Sequence, residues 1–249
     1  MHIHLLQLGR VAYADGLAMQ QQVIAARKAG AIGDTLLLLE HPPVITLGRN
    51  AHRSNVVASD EFLAARGVEL HEINRGGDVT YHGPGQLVGY PIFDLRGEWP
   101  GRKGPHLGAV DYIRMLEEML MRACGDFGVM TQRVCGRTGV WTLPGGSIPE
   151  KKIAALGVHV SQGVTSHGFA LNVTADLREF EWIVPCGIAD RQVTSLDLEA
   201  PAGREPAPTM ENAANVVSRQ MGRVFERQMV QAERLDVLLG SGTAAQTII

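Results

Sequence analysis

Apolar positions recur along this chain with two periods, about 3.6 residues and 2 residues, and the switches between them mark off its elements. Leu5-Leu6-Gln7-Leu8 reads as a first strand. From Tyr13 to Ala29, Leu17, Ala18, Val23, Ile24 and Ala25 are set among Gln20, Gln21, Gln22, Arg27 and Lys28, which predicts a helix with a basic end, closed by Gly30 to Gly33. Thr35 to Leu39 is a continuous apolar run, the pattern of a strand covered on both faces. Glu40-His41-Pro42-Pro43 breaks it, and Val44 to Leu47 reads as its hairpin partner. Ser59 stands where it would cap a helix from Asp60 to Arg66, with Gly67 as the stop. Val68 to Ile73 then alternates as a strand.

The strongest helical pattern runs from Leu107 to Phe127, with Val110, Ile113, Leu116, Met119, Leu120 and Ala123 on one face. Cys124 falls beside that face and reads as core. Gly139 to Thr142 forms a strand. Lys152 to Val160 and His167 to Val173 form two more, joined by Ser161-Gln162-Gly163. Thr174 to Leu177 begins a turn. Pro201 to Pro208 is linker-like. After it Thr209 caps a helix running to about Arg234, striped by Ala213, Val216, Val217, Met221, Val224, Phe225 and Met229, with a frayed tail from Gly240. Strands mixed with helices, rather than strictly alternating with them, predict an α+β (mixed α/β) fold rather than a doubly wound sheet.

The 249 residues, 45% of them hydrophobic and 20% charged, fit an ordinary globular chain with a sizeable core. A net charge of −3 argues against a general nucleic-acid binder. The first ten residues lack the features of a secretory signal, and no apolar run reaches membrane-spanning length. Three cysteines, Cys124, Cys135 and Cys186, form no CxxC pair. That argues against a disulfide scaffold or structural zinc and fits a reducing cytoplasm.

Chemistry concentrates in Arg75-Gly76-Gly77-Asp78-Val79-Thr80-Tyr81-His82-Gly83-Pro84-Gly85-Gln86. Glycines around a cation and an imidazole suit a backbone cradle for a ligand on paired strands; a Gly-rich hairpin is the plainer reading. Cys186, in Pro185-Cys186-Gly187, is placed either as an exposed nucleophile or as a structural turn cysteine. Lys152 opens an apolar strand, so its ammonium reaches either solvent or a partner, such as a thiol that it activates; Lys151 is the weaker candidate. His82, His159 and His167 are alternative partners for the cysteine, and spacing does not choose among them.

Taken together, the Arg75 to Gln86 stretch, Lys152-Ile153-Ala154-Ala155-Leu156-Gly157, His167-Gly168-Phe169-Ala170-Leu171-Asn172-Val173 and Ile183-Val184-Pro185-Cys186-Gly187-Ile188 closely resemble the lipoyl (octanoyl) transferase family. Glu40 to Arg49 and Val193 to Leu196 fit the same pattern, which runs from about Leu5 to Leu198. The resemblance implies the fold shared with biotin and lipoate ligases, a mixed β-sheet flanked by helices. It implies a catalytic domain over residues 1–200, with residues 201–249 as linker, C-terminal helix and tail packed on it or trailing. Cys186 is implied as acyl-accepting nucleophile and Lys152 as its activator. Arg75, Gly76, Gly77, Asp78, Val79, Thr80, Tyr81, His82, Ala155, Leu156, Gly157, Gly168, Phe169 and Ala170 are implied as the acyl site. The implied reaction moves octanoyl from octanoyl-acyl carrier protein to a lysine of lipoyl domains, those of 2-oxoacid dehydrogenase complexes and the glycine cleavage H protein. No metal or cofactor is expected, nor any nucleic-acid or membrane partner, and the expected state is a cytoplasmic monomer. Asp78 departs from the family, which often has glutamine there. Tyr90, Leu87 and Leu156 are candidate acyl walls, and Arg49, Arg53, Arg102, Lys103, Arg133 and Arg137 a candidate docking patch for acidic partners. Two rivals are an ATP-dependent lipoate or biotin ligase, which has no use for Cys186, and a non-catalytic acyl-binding module.

Overall fold

The computed structural model describes residues 2–97, 99, 104, 106–145, 148–184 and 192–240. Its elements are β1 (His2–Arg10), α1 (Tyr13–Lys28), β2 (Asp34–Glu40), β3 (Val44–Leu47), α2 (Asp60–Ala65), β4 (Glu69–Glu72), β5 (Val79–His82) and β6 (Gln86–Ile92). There follow α3 (Ala109–Asp126), β7 (Thr131–Val134), β8 (Arg137–Thr142), β9 (Lys152–Ser161), β10 (Val164–Asn172), α4 (Leu196–Glu199), α5 (Met210–Val224), β11 (Gln228–Gln231) and α6 (Leu235–Gly240). The expected mixed sheet flanked by helices is present, as an eight-stranded sheet ordered β11-β1-β2-β6-β10-β9-β8-β7 and a three-stranded one ordered β4-β3-β5.

Strand alternation divides the large sheet's side chains between two apolar layers. Leu36, Leu38, Leu87 and Val140 pack with α3 and α5, whereas Leu37, Leu39, Val88 and Tyr90 face the side of α1 and α6. This is why β2 reads as an unbroken run: both of its faces are covered. Each fully buried leucine there contributes about 1.5–3 kcal/mol. The small sheet has its own core, Ile45, Leu47, Val79 and Tyr81 against Leu63, Phe180 and Ile183. Ser59 caps α2 by accepting from Phe62 N at 3.2 Å, and Thr209 caps α5 by accepting from Asn212 N at 3.2 Å.

Four expectations are corrected. β3 is no hairpin partner of β2. Both edges of β2 are taken, by β1 in parallel and β6 antiparallel, so Pro42-Pro43 turns the chain out and β3 pairs with β4 and β5. For the same reason β5 and β6 do not pair with each other, and Gly83-Pro84-Gly85 carries the chain from the small sheet into the large one. Val110 is 71% exposed in the first turn of α3, ahead of the point where that helix meets the sheet. The C-terminal helix stops at Val224; Glu226 takes φ +50°, and Met229 lies in β11, which fills the open edge of β1. α5 packs into the same core as α3, with Ala213, Val217, Met221 and Phe225 wholly buried. Among the described residues no helix is long and apolar enough to cross a membrane.

Candidate active site

A cavity of about 280 Å³ opens between the large sheet and the segment that leads into β5. Arg75, Gly77, Asp78, Val79, Thr80 and His82 line one side, and Lys152, Ala155, Leu156, Gly157, Gly168, Phe169 and Ala170 the other. The last six face one another across the β9–β10 ladder, where Ala155 is opposite Ala170, Leu156 opposite Phe169 and Gly157 opposite Gly168. Close approach explains the two glycines. A Cβ on Gly157 would sit 2.8 Å from the Gly76 carbonyl oxygen, and one on Gly168 would run into the Gly89 carbonyl. Gly76 and Tyr81 do not line the cavity. Gly76 donates its N–H to Val158 O at 3.1 Å, and the Tyr81 ring turns toward Phe180 and Trp182, with its hydroxyl on Glu179. Of the expected walls Tyr90 and Leu156 line the cavity; Leu87 lies on the opposite face of β6, against the α3 layer.

Lys152 faces the cavity because β9 bulges. Along β9, Ala154, Leu156, Val158 and Val160 face the α3 layer, so strict alternation would send Lys152 there too. Val140 pairs with Ala154 but Trp141 pairs with Lys152, which leaves Ile153 as an extra residue that joins the core beside Ala154. That one-residue insertion re-aims Lys152 into the cavity. Its Nζ sits 4.7 Å above the Trp141 ring centroid.

Cys186 lies outside the described residues, as do Arg102 and Lys103. Both flanks of its segment are described. Val184 donates its N–H to Asn55 O at 2.7 Å, whereas Gln192 O accepts from Lys152 N at 3.0 Å and Thr194 donates to Lys152 O at 2.9 Å. A hydrogen-bond chain ties this second flank to the Arg75–His82 side. His82 Nδ1 donates to Gln86 Oε1 at 2.7 Å, Gln86 Nε2 to Asn172 Oδ1 at 2.9 Å, and Asn172 Nδ2 to Thr194 O at 2.9 Å. Cys124, by contrast, is wholly buried in α3, and burial pushes its thiol up to about 12.

The imidazoles of the site are neutral at physiological pH. Burial, then the neighbouring His41, brings His82 down to about 3; burial, then Arg75, brings His167 to about 4. His167 holds φ +55°, its N–H bonded to Gln20 Oε1 at 2.9 Å and its Nε2 to Asn74 Oδ1 at 2.7 Å. Arg75 is fixed by Thr46, with Nη2 donating to its carbonyl at 2.8 Å. Asp78 accepts from Asn55 Nδ2 at 2.6 Å and Val79 N at 2.7 Å, so its carboxylate braces the loop. His159 sits half-exposed on β9, outside the lining. Among the expected docking cations, Arg53 is engaged by Asp60 and Arg133 by Glu117 and Glu118; Arg137 lines the cavity and Arg49 is exposed. Sequence reasoning missed Tyr13, Arg137, Trp141 and Phe180 as lining residues. Trp141 carries no local signal beyond that of a buried strand residue. Among the described residues no cluster of His, Cys, Asp or Glu has the arrangement of a metal site.

The family profile "Lipoyl protein ligase A/B catalytic domain" matches residues 12–222, past Leu198 and through most of α5. The chain is 66% identical over 233 residues to an octanoyltransferase of Acidobacterium capsulatum, covering 94% of each chain. It is 54% identical to an octanoyltransferase of Koribacter versatilis, over 95% of this chain and 90% of that one. Its fold is that of a lipoate-protein ligase A solved with ATP, at TM-score 0.69 and 14% identity over 96% of this chain and 93% of that one. A bipartite lipoate protein ligase of Thermoplasma acidophilum superposes at TM-score 0.67 with 13% identity, over 100% and 98%. With a profile spanning most of its length and relatives this similar, the chain belongs to the lipoyl protein ligase A/B catalytic domain family and is an enzyme, an acyltransferase.

Proposed function

We propose that this acyltransferase moves an octanoyl group from octanoyl-acyl carrier protein to a lysine amine of a lipoyl domain, through a thioester on Cys186. The observation that carries this reading is the placement of Lys152: its amine faces an apolar-walled cavity, and its backbone is bonded on both sides to Gln192 and Thr194, six and eight residues after Cys186. The Cys186 thiol gives its proton to the Lys152 amine, and the thiolate attacks the donor's thioester carbonyl. The new S–C bond forms as the carrier's sulfur leaves with the proton returned by Lys152. A lysine amine of the acceptor then attacks the enzyme thioester. Its proton passes to Lys152, an amide forms, and the Cys186 thiol is restored. Exchange between thioesters is nearly isoenergetic, so amide formation drives the cycle, and no nucleotide is consumed. The lining charges Arg75, Arg137 and Lys152 outnumber Asp78, which favours a thiolate beside them. Backbone N–H groups around Gly77 are suited to meet the developing oxyanion.

Mass spectrometry after mixing with octanoyl-acyl carrier protein tests the reading. An octanoyl adduct is expected on Cys186, absent from Cys186→Ser and strongly slowed in Lys152→Met; an adduct on Cys124 or Cys135 would reject it. The likeness to a ligase solved with ATP favours a second reading, activation of a free acid by ATP. Octanoate plus ATP supporting transfer without any acyl carrier protein would establish that alternative.

A further inference from the structure

Lys152 meets an aromatic face that the proposed reaction leaves without a role. Trp141 is 2% exposed, lines the cavity, and stands directly opposite Lys152 in the β8–β9 ladder, with Nζ 4.7 Å over its ring. Opposed residues of an antiparallel pair share a face, so the bulge at Ile153 that turns Lys152 into the cavity also sets it on the indole. The indole Nε1 is buried with no hydrogen-bond partner among the described residues. Phenylalanine would fill much of the same space without burying that unpaired donor, so packing alone does not call for tryptophan here. What tryptophan offers above any other side chain is the most strongly attractive face for a cation.

We infer that Trp141 is a positioning residue of the acyl transfer: its ring holds the Lys152 ammonium that forms when the thiol is deprotonated, favouring the thiolate–ammonium pair over the neutral pair. This rests on the reading of Lys152 as the proton acceptor. The charged groups sharing the cavity with that ammonium are Arg137 on β8, paired with Glu150 at 3.8 Å, and Arg75 and Asp78 ahead of β5. The titratable groups there that stay neutral are His82 and His167 on β5 and β10 and the phenols Tyr13 and Tyr90. The indole is the attractive aromatic surface on Lys152's own ladder. A cation over an aromatic face at this range is worth roughly a two- to thirtyfold rate effect.

The test replaces Trp141 site-specifically with mono-, di- and trifluorinated tryptophan, which keeps the ring's shape and weakens its negative face. Octanoyl transfer is followed in full-length enzyme. The rate of acyl-enzyme formation is expected to fall stepwise with fluorine number, by roughly two- to thirtyfold across the series, with KM for the octanoyl donor and the melting temperature unchanged. In a Lys152→Met background the same series is expected to be flat. Trp141→Phe should retain more activity than Trp141→Leu. A flat series in enzyme that does require Lys152, or an undiminished decline in Lys152→Met, would overturn the role of Trp141 alone. Wild-type transfer by Lys152→Met would overturn this inference and the proton-acceptor reading together.

Discussion

The hydroxyl of Tyr90 illustrates how single polar atoms hold the cavity wall. His41 is buried, and that burial brings it down to about 4, so its ring is neutral. Its Nδ1 lies 2.7 Å from the Val11 carbonyl, which only accepts, so Nδ1 carries the proton and Nε2 accepts from the Tyr90 hydroxyl at 2.7 Å. Tyr90→Phe would leave that ring nitrogen buried and unpaired. A loss of about 1–3 kcal/mol in chemical denaturation is expected, larger than the loss for Tyr13→Phe, whose ring packs on His41 and His82. The apolar part of the wall that faces away from α3, Val88, Tyr90 and Ala170, sets the response to acyl length. Each methylene buried contributes about 0.8 kcal/mol, so a hexanoyl donor should bind roughly fifteenfold more weakly than octanoyl, read as a rise in Kd for a non-transferable analogue.

At the scale of elements, β8 is held from behind by a wholly buried carboxylate on α3. Glu117 Oε1 accepts from Gly139 N at 3.1 Å, and Oε2 accepts from Arg114 at 2.7 Å and Arg133 at 3.1 Å. Glu117→Leu would strand the Gly139 N–H and take the carboxylate from Arg114, while Arg133 keeps Glu118 and the Arg114 carbonyl. A loss of about 1–3 kcal/mol is expected by thermal or denaturant unfolding, together with slower acyl transfer, because β8 carries Trp141 and Arg137. The helices were largely legible from residues alone, since α3 and the caps at Ser59 and Thr209 depend on local spacing and local hydrogen bonds. So was the β9–β10 hairpin, whose two-residue turn places Gln162 at φ 53° and Gly163 at φ 82°. Strand partners were not legible, because pairing is decided by which sheet edge remains open. That is how β3 and β5 came to form a second sheet. The cavity's Arg75–His82 and β9–β10 sides could be named by resemblance, but Tyr13, Trp141 and Phe180 arrive from distant elements and look in sequence like ordinary core.

Over the whole molecule, three buried imidazoles make stability depend on pH. His41, His82 and His167 have folded values of about 4, 3 and 4, whereas an unfolded histidine titrates near 6.5. Above about pH 6.5 neither state binds these protons and the contribution to stability is complete. As the pH falls toward 4, the unfolded chain takes up protons that the folded chain refuses, so stability is lost. The slope should approach about 4 kcal/mol per pH unit near pH 5, and His41→Gln should remove about one of the three protons released on refolding. Calorimetry between pH 4 and 7 measures both.

The extra residue in β9 has a genetic consequence. Side-chain parity in a strand is binary, so the residue count on each strand of the β8–β9 pair decides which face Lys152 takes. Removing Ile153 would let the ladder run in regular register with Val140 still opposite Ala154 and Trp141 still opposite Lys152, so the amine keeps its face. One residue inserted between Val140 and Trp141 would instead give Ile153 a partner and swing the Lys152 amine into the greasy layer beneath α3. Indel scanning of this pair should therefore find loss of transfer from the insertion in β8 that is far more severe than from deleting Ile153, which keeps Lys152 opposite Trp141.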